Sequence, residues 1–99
     1  MKKEFIRIKN QYANDCEAYI RLSTIKEIRH YQYSSIDGTK ILLQTEIIRD
    51  DGQQQPVSLN EYLEIAENLL DKGDFAMMKQ WFYCKGYIKD SPTGDYLDD

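Results

Sequence analysis

The sequence predicts an α+β domain: an antiparallel β-meander of four to five strands, followed by two C-terminal helices packed on one sheet face. Three observations carry this prediction. Apolar and polar residues alternate with period two through the first half; Asp-Gly pairs at 37–38 and 51–52 punctuate those runs; and the periodicity becomes helical at Ser58.

The first run, "EFIRIK", sets Ile6 and Ile8 against Phe5, Arg7 and Lys9. After the polar connector "QYANDCE", the run "AYIRLS" sets Ala18, Ile20 and Leu22 against Tyr19, Arg21 and Ser23. A third run, "EIRHYQYS", places Ile28, His30 and Gln32 opposite Arg29, Tyr31 and Tyr33, and the fourth, "KILLQTEIIR", aligns Ile41, Leu43, Thr45 and Ile47. β-Branched and aromatic residues at this spacing fit a half-buried pleated surface. Gly38 and Gly52 supply the positive φ that tight hairpin turns need. A short fifth strand over 54–57 closes the second hairpin, with Pro56 confining it to an edge. The expected core of the sheet is Ile6, Ile8, Ile20, Leu22, Ile28, Ile41 and Leu43.

Helix begins at "SLNE", a capping box in which Ser58 is the N-cap and Glu61 reaches back, with Val57 and Tyr62 placed as a hydrophobic staple. Leu59, Tyr62, Leu63, Ile65, Ala66, Leu69 and Leu70 then share one arc, and Lys72-Gly73 reads as the C-terminal end. Asp74 is the expected cap of a second helix from Phe75 to about Lys85, with Gly86 as its stop. Its residues Phe75, Met77, Met78, Trp81, Phe82 and Cys84 cover about half the helical wheel, more than the stripe a surface helix needs. Residues 1–89 therefore read as one domain, and "DSPTGDYLDD" (90–99), with four Asp, as a flexible acidic tail.

Over residues 18–70, the order "YIRLSTIKEI … DGTKILLQ … VSLNEYLEIAENLL" resembles in layout the small bacterial flagellar-operon proteins of the FlbD type. That resemblance implies short strands, a Gly turn, a further strand and a helix, and brings no function or site residue with it.

Composition narrows the function. The chain has 99 residues and a net charge of −4, with 41% hydrophobic and 30% charged residues. Residues 1–49 hold nine Lys/Arg and six Asp/Glu; residues 50–99 hold four Lys and eleven Asp/Glu, so a basic half precedes an acidic one. No apolar run approaches the roughly 20 residues of a membrane span, and no signal-peptide pattern opens the sequence, so a cytoplasmic location away from membranes is expected. Cys16 and Cys84 belong to no CxxC pair and are expected as reduced thiols.

Catalytic and metal chemistry find little footing. His30 is the only histidine, and nothing in the sequence brings it to Cys84 as a thiolate–imidazole pair. The Glu61, Glu64, Glu67 row lies on the polar face of a helix, and Asp50-Asp51-Gly52 lacks the further ligands of a calcium loop. No nucleophile elbow, Walker loop or dinucleotide fingerprint occurs. The chain is accordingly expected to be no enzyme and to use no cofactor or metal.

Two surfaces are the candidates for binding. Arg7, Tyr19, Arg21, Arg29, Tyr31 and Tyr33 project from the sheet's second face as a basic, aromatic patch, and Met77 and Trp81 form an apolar anchor on the wide second helix. The expected function is a small non-enzymatic protein-binding module: an adaptor, regulator or inhibitor of a protein partner, with self-association into a homo-oligomer open to it. Nucleic-acid binding through the Arg/Tyr face is one alternative. The other is an acidic inhibitor or decoy of a nucleic-acid-handling protein, of mobile-element origin, acting through Glu61, Glu64, Glu67, Asp71 and the tail.

Overall fold

The computed structural model describes residues 3–9 and 16–89. The expected acidic tail and most of the polar connector lie outside the described residues. Among these residues five strands and two α-helices follow one another: β1 (Phe5–Lys9), β2 (Glu17–Arg21), β3 (Ile25–Ser34), β4 (Ile41–Arg49), β5 (Gln54–Pro56), α1 (Leu59–Leu69) and α2 (Lys72–Cys84). All strand pairs are antiparallel and join neighbours in sequence, so the fold is α+β. The residues group into two compact units, with the boundary at Ile65/Ala66 inside α1. No helix among the described residues is long and apolar enough to cross a membrane.

The strands divide into two sheets, β1–β2 and β3–β4–β5, where the sequence suggested one continuous meander. The break is a single 3-10 turn at Leu22–Thr24. There the Thr24 hydroxyl donates to the Arg21 carbonyl at 2.7 Å, a local bond that competes with strand pairing. The Thr24 carbonyl then accepts from the Asp50 amide at 2.8 Å, and its hydroxyl oxygen from Arg49 Nε at 3.1 Å, so the turn is fastened to the end of β4.

Alternation is clean in β1 and β2, where Ile6, Ile8 and Ile20 are buried and their neighbours are not. β4 behaves differently along its length. Thr45, Glu46, Ile47 and Ile48 are all buried, so both faces are covered there, whereas Ile41 and Leu42 are exposed. Ile41, expected in the core, is 61% exposed. Its periodicity is right, but the covering elements do not extend that far. Ile28 and Leu43 are only half-buried.

α1 lies against β1 and β4. Its start follows the capping box: Ser58 Oγ accepts from the Glu61 amide at 3.2 Å, and Glu61 Oε1 accepts from the Ser58 amide at 2.9 Å. Glu61 Oε2 is left over, and it accepts the Lys9 amide at 2.8 Å, tying the helix start to the end of β1. Lys3 pairs with Glu64 one turn further on. Tyr62 is fully buried and shares a 2.8 Å hydrogen bond with His30 Nδ1.

The helix boundaries shift from those the sequence suggested. α1 ends at Leu69, with Leu69 itself exposed, and α2 starts at Lys72. Asp71, not Asp74, is the N-cap: its carboxylate accepts the Asp74 amide at 2.7 Å. Lys72 and Gly73 thus belong to the first turn of α2. Two Asp three residues apart allow either to cap, and only the backbone path decides between them. At the far end Gly86 takes φ 85°, its amide bonds to the Tyr83 carbonyl at 3.0 Å, and the Tyr87 amide bonds to the Phe82 carbonyl at 2.9 Å. This is a Schellman stop, and Tyr87 packs edge-on to Phe82 at 6.3 Å between ring centroids, as the motif's apolar contact requires.

Two expectations follow from the His30–Tyr62 contact. Tyr62→Phe keeps the ring and removes the hydroxyl, so it should destabilise the fold by about 1–3 kcal/mol in urea unfolding. Burial lowers the His30 pKa below its ordinary 6.5. A depressed folded value means stability is full above about pH 6.5 and is lost as pH falls from there through the folded value. The urea midpoint should drop across that window, and His30→Gln should flatten the drop.

Candidate functional site

The six sheet residues expected to form one basic, aromatic patch are divided between two sheets. Arg7, Tyr19 and Arg21 lie on the exposed face of β1–β2, where Arg7 is opposite Tyr19 and Phe5 opposite Arg21. Arg29, Tyr31 and Tyr33 lie on β3, facing Glu46, Gln44 and Leu42 of β4. β2 and β3 do not pair, so no continuous ladder joins the two groups.

Each arginine of the patch has a carboxylate partner. Arg21 pairs with Glu4 while its guanidinium lies 4.5 Å from the Phe5 ring centre. Arg7 Nη1 is 3.9 Å from Glu17. Arg29 donates to Glu27 at 2.6 Å and approaches the buried Glu46 carboxylate at 3.9 Å. Glu46 also accepts weakly from the Tyr31 hydroxyl at 3.4 Å and from Gln44 Nε2 at 3.5 Å. These pairs are mostly solvent-exposed and add little stability. Their consequence is electrostatic: they cancel most of the positive field that alternation alone suggests.

The acidic row of α1 is also partly engaged, Glu61 with Ser58 and Lys9 amides and Glu64 with Lys3. A groove of about 860 Å³ runs beside these contacts, lined by Phe5, Arg7, Lys9 and Tyr19 on one side and Asn60, Glu61 and Glu64 on the other. Among the described residues no group of three or more His, Cys, Asp or Glu gathers as metal ligands. Cys16 and Cys84 are free and exposed, and Cys84 Sγ accepts from Gln80 Nε2 at 3.1 Å.

Within the second unit, Met77 is exposed, at 73%, as an anchor would need to be. Trp81 is half-buried: it stacks on Tyr87 at 6.3 Å, meets Phe82 edge-on at 5.1 Å, and Lys85 Nζ lies 5.6 Å from its ring centre. Met78 and Phe82 are the buried residues of α2.

The most exposed apolar cluster among the described residues joins Tyr31 and Tyr33, which alternation singled out, to Ile36 and Leu42, which it did not. The distal parts of β3 and β4, residues 31–44, form a two-stranded arm beyond the reach of β5. Tyr31 and Tyr33 are exposed on it, as are Ile41 and Leu42, and Ile36 at its tip is fully exposed. A hollow of about 670 Å³ at the tip is lined by Tyr33, Ile36, Lys40 and Leu42 among others. The clue in the sequence is "SSIDGTK", an isoleucine inside an otherwise polar turn, followed by three consecutive apolar residues that a strand cannot all turn inward.

The tip is tied by hydrogen bonds. The Ser35 amide donates to the Lys40 carbonyl at 2.8 Å and the Gly38 amide to the Ser35 carbonyl at 2.9 Å, with Gly38 at φ 74°. Asp37 Oδ1 accepts from the Ser35 hydroxyl at 2.6 Å, the Thr39 hydroxyl at 2.7 Å and the Thr39 amide at 3.0 Å. These donors, Ser35 foremost, hold the Asp37 carboxyl down at about 2, well below its ordinary 3.8.

No family model matches the chain, and neither does any curated protein or solved structure.

Asp37→Ala should therefore loosen the tip while leaving the rest of the fold intact, seen as faster hydrogen exchange at the Thr39 and Lys40 amides. The sign for pH is that of a depressed carboxyl: its contribution is full above about 3.8 and disappears as pH falls through about 2. Thr39 protection should persist to that lower value in the wild type.

Proposed function

We propose that this chain is a non-enzymatic protein-binding module, an adaptor, regulator or inhibitor, and that the β3–β4 arm is its contact surface. The observation that carries this reading is Ile36, fully exposed at a turn fixed by six hydrogen bonds: two between backbone groups, three to the Asp37 carboxylate and one from the Lys40 amide to the Ser35 hydroxyl. A large apolar side chain gains nothing from water, and here it is presented on a preorganised loop beside Tyr33 and Leu42. Preorganisation lowers the ordering entropy that binding must overcome, and an aromatic and aliphatic cluster is the composition of an interface centre. The compensated arginines favour a protein partner over a nucleic acid, whose binding rests on uncancelled positive charge.

The test is affinity capture from the source cell with immobilised wild type and Ile36→Asp, each checked for unchanged circular dichroism and melting temperature. The wild type should retain a protein that survives nuclease treatment, and Ile36→Asp should weaken its retention by about tenfold or more. Equal retention by the two, or retention of nucleic acid alone, would refute the reading.

A further inference from the structure

The register fixes which edge of the arm is open. The Ser35 amide donates to the Lys40 carbonyl and the Lys40 amide to the Ser35 hydroxyl, so both residues face inward across the hairpin, and by alternation Tyr33–Leu42 and Tyr31–Gln44 are its hydrogen-bonded pairs. Leu42 and Gln44 therefore turn their main-chain groups toward β3, and Ile41, Leu43 and Thr45 turn theirs the other way. Thr45 finds its partner there, since its carbonyl accepts the Val57 amide at 3.0 Å. At Ser58 the chain leaves for α1, and β5 reaches no further along β4. The outward amides and carbonyls of Ile41 and Leu43 have no strand beside them among the described residues.

Open edges are normally blunted by charge, proline or a bulge, because they template further pairing. Residues 41–43 carry none of these, and Ile41 and Leu42 are exposed apolar side chains on the same segment.

We propose that a second copy of this chain docks here, by antiparallel pairing of the two β4 edges about a twofold axis at Leu42. The inference rests on reading the arm as a contact surface. The register follows from what is already occupied. Centring on Leu43 would set Ile41 against Thr45, whose carbonyl already serves Val57. Centring on Ile41 would set Leu43 against Thr39, whose amide is held by Asp37. Centring on Leu42 pairs Ile41 with Leu43 of the other copy, and Leu43 with its Ile41, so all the outward groups of both residues are satisfied. Lys40 then lies opposite Gln44, and no like charges meet. Leu42 falls opposite its own copy in a close, non-hydrogen-bonded pair, flanked on each side by Tyr33 across the β3–β4 ladder. A self-complementary neutral segment of this kind fits an isologous contact that closes after two copies.

The closing experiment uses the full chain. In a Cys16→Ser, Cys84→Ser background, Leu42→Cys should give a disulfide-linked dimer on mild oxidation, because non-hydrogen-bonded antiparallel pairs hold their Cα atoms about 4.5 Å apart. Tyr19→Cys in the same background serves as the control and should form no disulfide-linked dimer. By sedimentation, the wild type should shift from monomer to dimer mass with rising concentration. Leu43→Pro removes an outward amide, as edge prolines do, together with a half-buried side chain, and Ile41→Lys adds an edge charge; each should lower the dimer fraction about tenfold. Monomer mass up to about millimolar protein, where even a weak contact of about −4 kcal/mol would register, overturns the proposal. So does crosslinking no greater through Leu42→Cys than through the control. If Leu43→Pro misfolds by circular dichroism, Ile41→Lys and the crosslinking pair decide. A monomer whose partner capture still depends on Ile36 rejects the twofold and leaves the protein-binding reading standing; a dimer with no Ile36-dependent partner does the reverse.

Discussion

One buried pairing decides how far the protein's cover extends: Thr45 with Val57. The Thr45 carbonyl accepts the Val57 amide at 3.0 Å, and the Thr45 hydroxyl donates to the Val57 carbonyl at 2.7 Å. Both residues are buried, so both bonds are protected from water and breaking either would leave a buried polar group unmet. This clamp ends β5 and delivers Ser58 to the position from which the capping box starts α1. Thr45 to Ile48 is covered on both faces, whereas β4 from Leu43 to its start at Ile41 pairs with β3 on one edge and has no strand on the other among the described residues. The exposed arm is thus a geometric result of where the chain turns from strand to helix.

That dependence explains what the sequence disclosed and what it withheld. Alternation located Ile6, Ile8, Ile20 and Leu22 correctly, because β1 and β2 are short and each has one covered face. The capping box was legible because Ser58 and Glu61 satisfy each other locally. Ile41 was not, since period-two alternation assigns a residue to a face but is silent on how far along a strand the cover extends. The sheet break at Leu22–Thr24 was hidden for a related reason: the alternating run "AYIRLS" continues through a turn that a side-chain hydroxyl stabilises. Glu61 carries a second role, receiving the Lys9 amide, that only the relation between strand and helix discloses. The arm's importance was half visible, in Tyr31 and Tyr33, while Ile36 was hidden by its place in a turn.

Charge tells the same story from another side. The first half carries a formal excess of positive charge, yet Glu4, Glu17, Glu27 and Glu46 each sit by one of the patch arginines. Counting charges along a chain measures a sum, whereas a partner at a few ångströms meets local pairs, and beyond about 8 Å physiological salt screens what remains. With the arginines engaged, the feature that distinguishes the surface is apolar. Association through such a surface draws little on electrostatic steering, so its strength should sit in the lifetime of the contact and not in the rate of encounter.

The two binding modes proposed for the arm share residues, and that sharing has a thermodynamic consequence. Leu42 and Tyr33 flank the twofold and also line the hollow below Ile36. A partner that needs Leu42 exposed binds only the monomer, so each increment of self-association subtracts from the population it can reach, by the linkage that governs any two ligands competing for one state. A partner that contacts Ile36 alone, or one that adds its own strand to Ile41–Leu43, would couple differently: the first independently of dimerisation, the second in direct replacement of it. The apolar tip supplies burial and the open edge supplies main-chain hydrogen bonds, and because the Asp37 turn fixes the tip without touching β4's outer edge, the two contributions are separable by single substitutions in this chain.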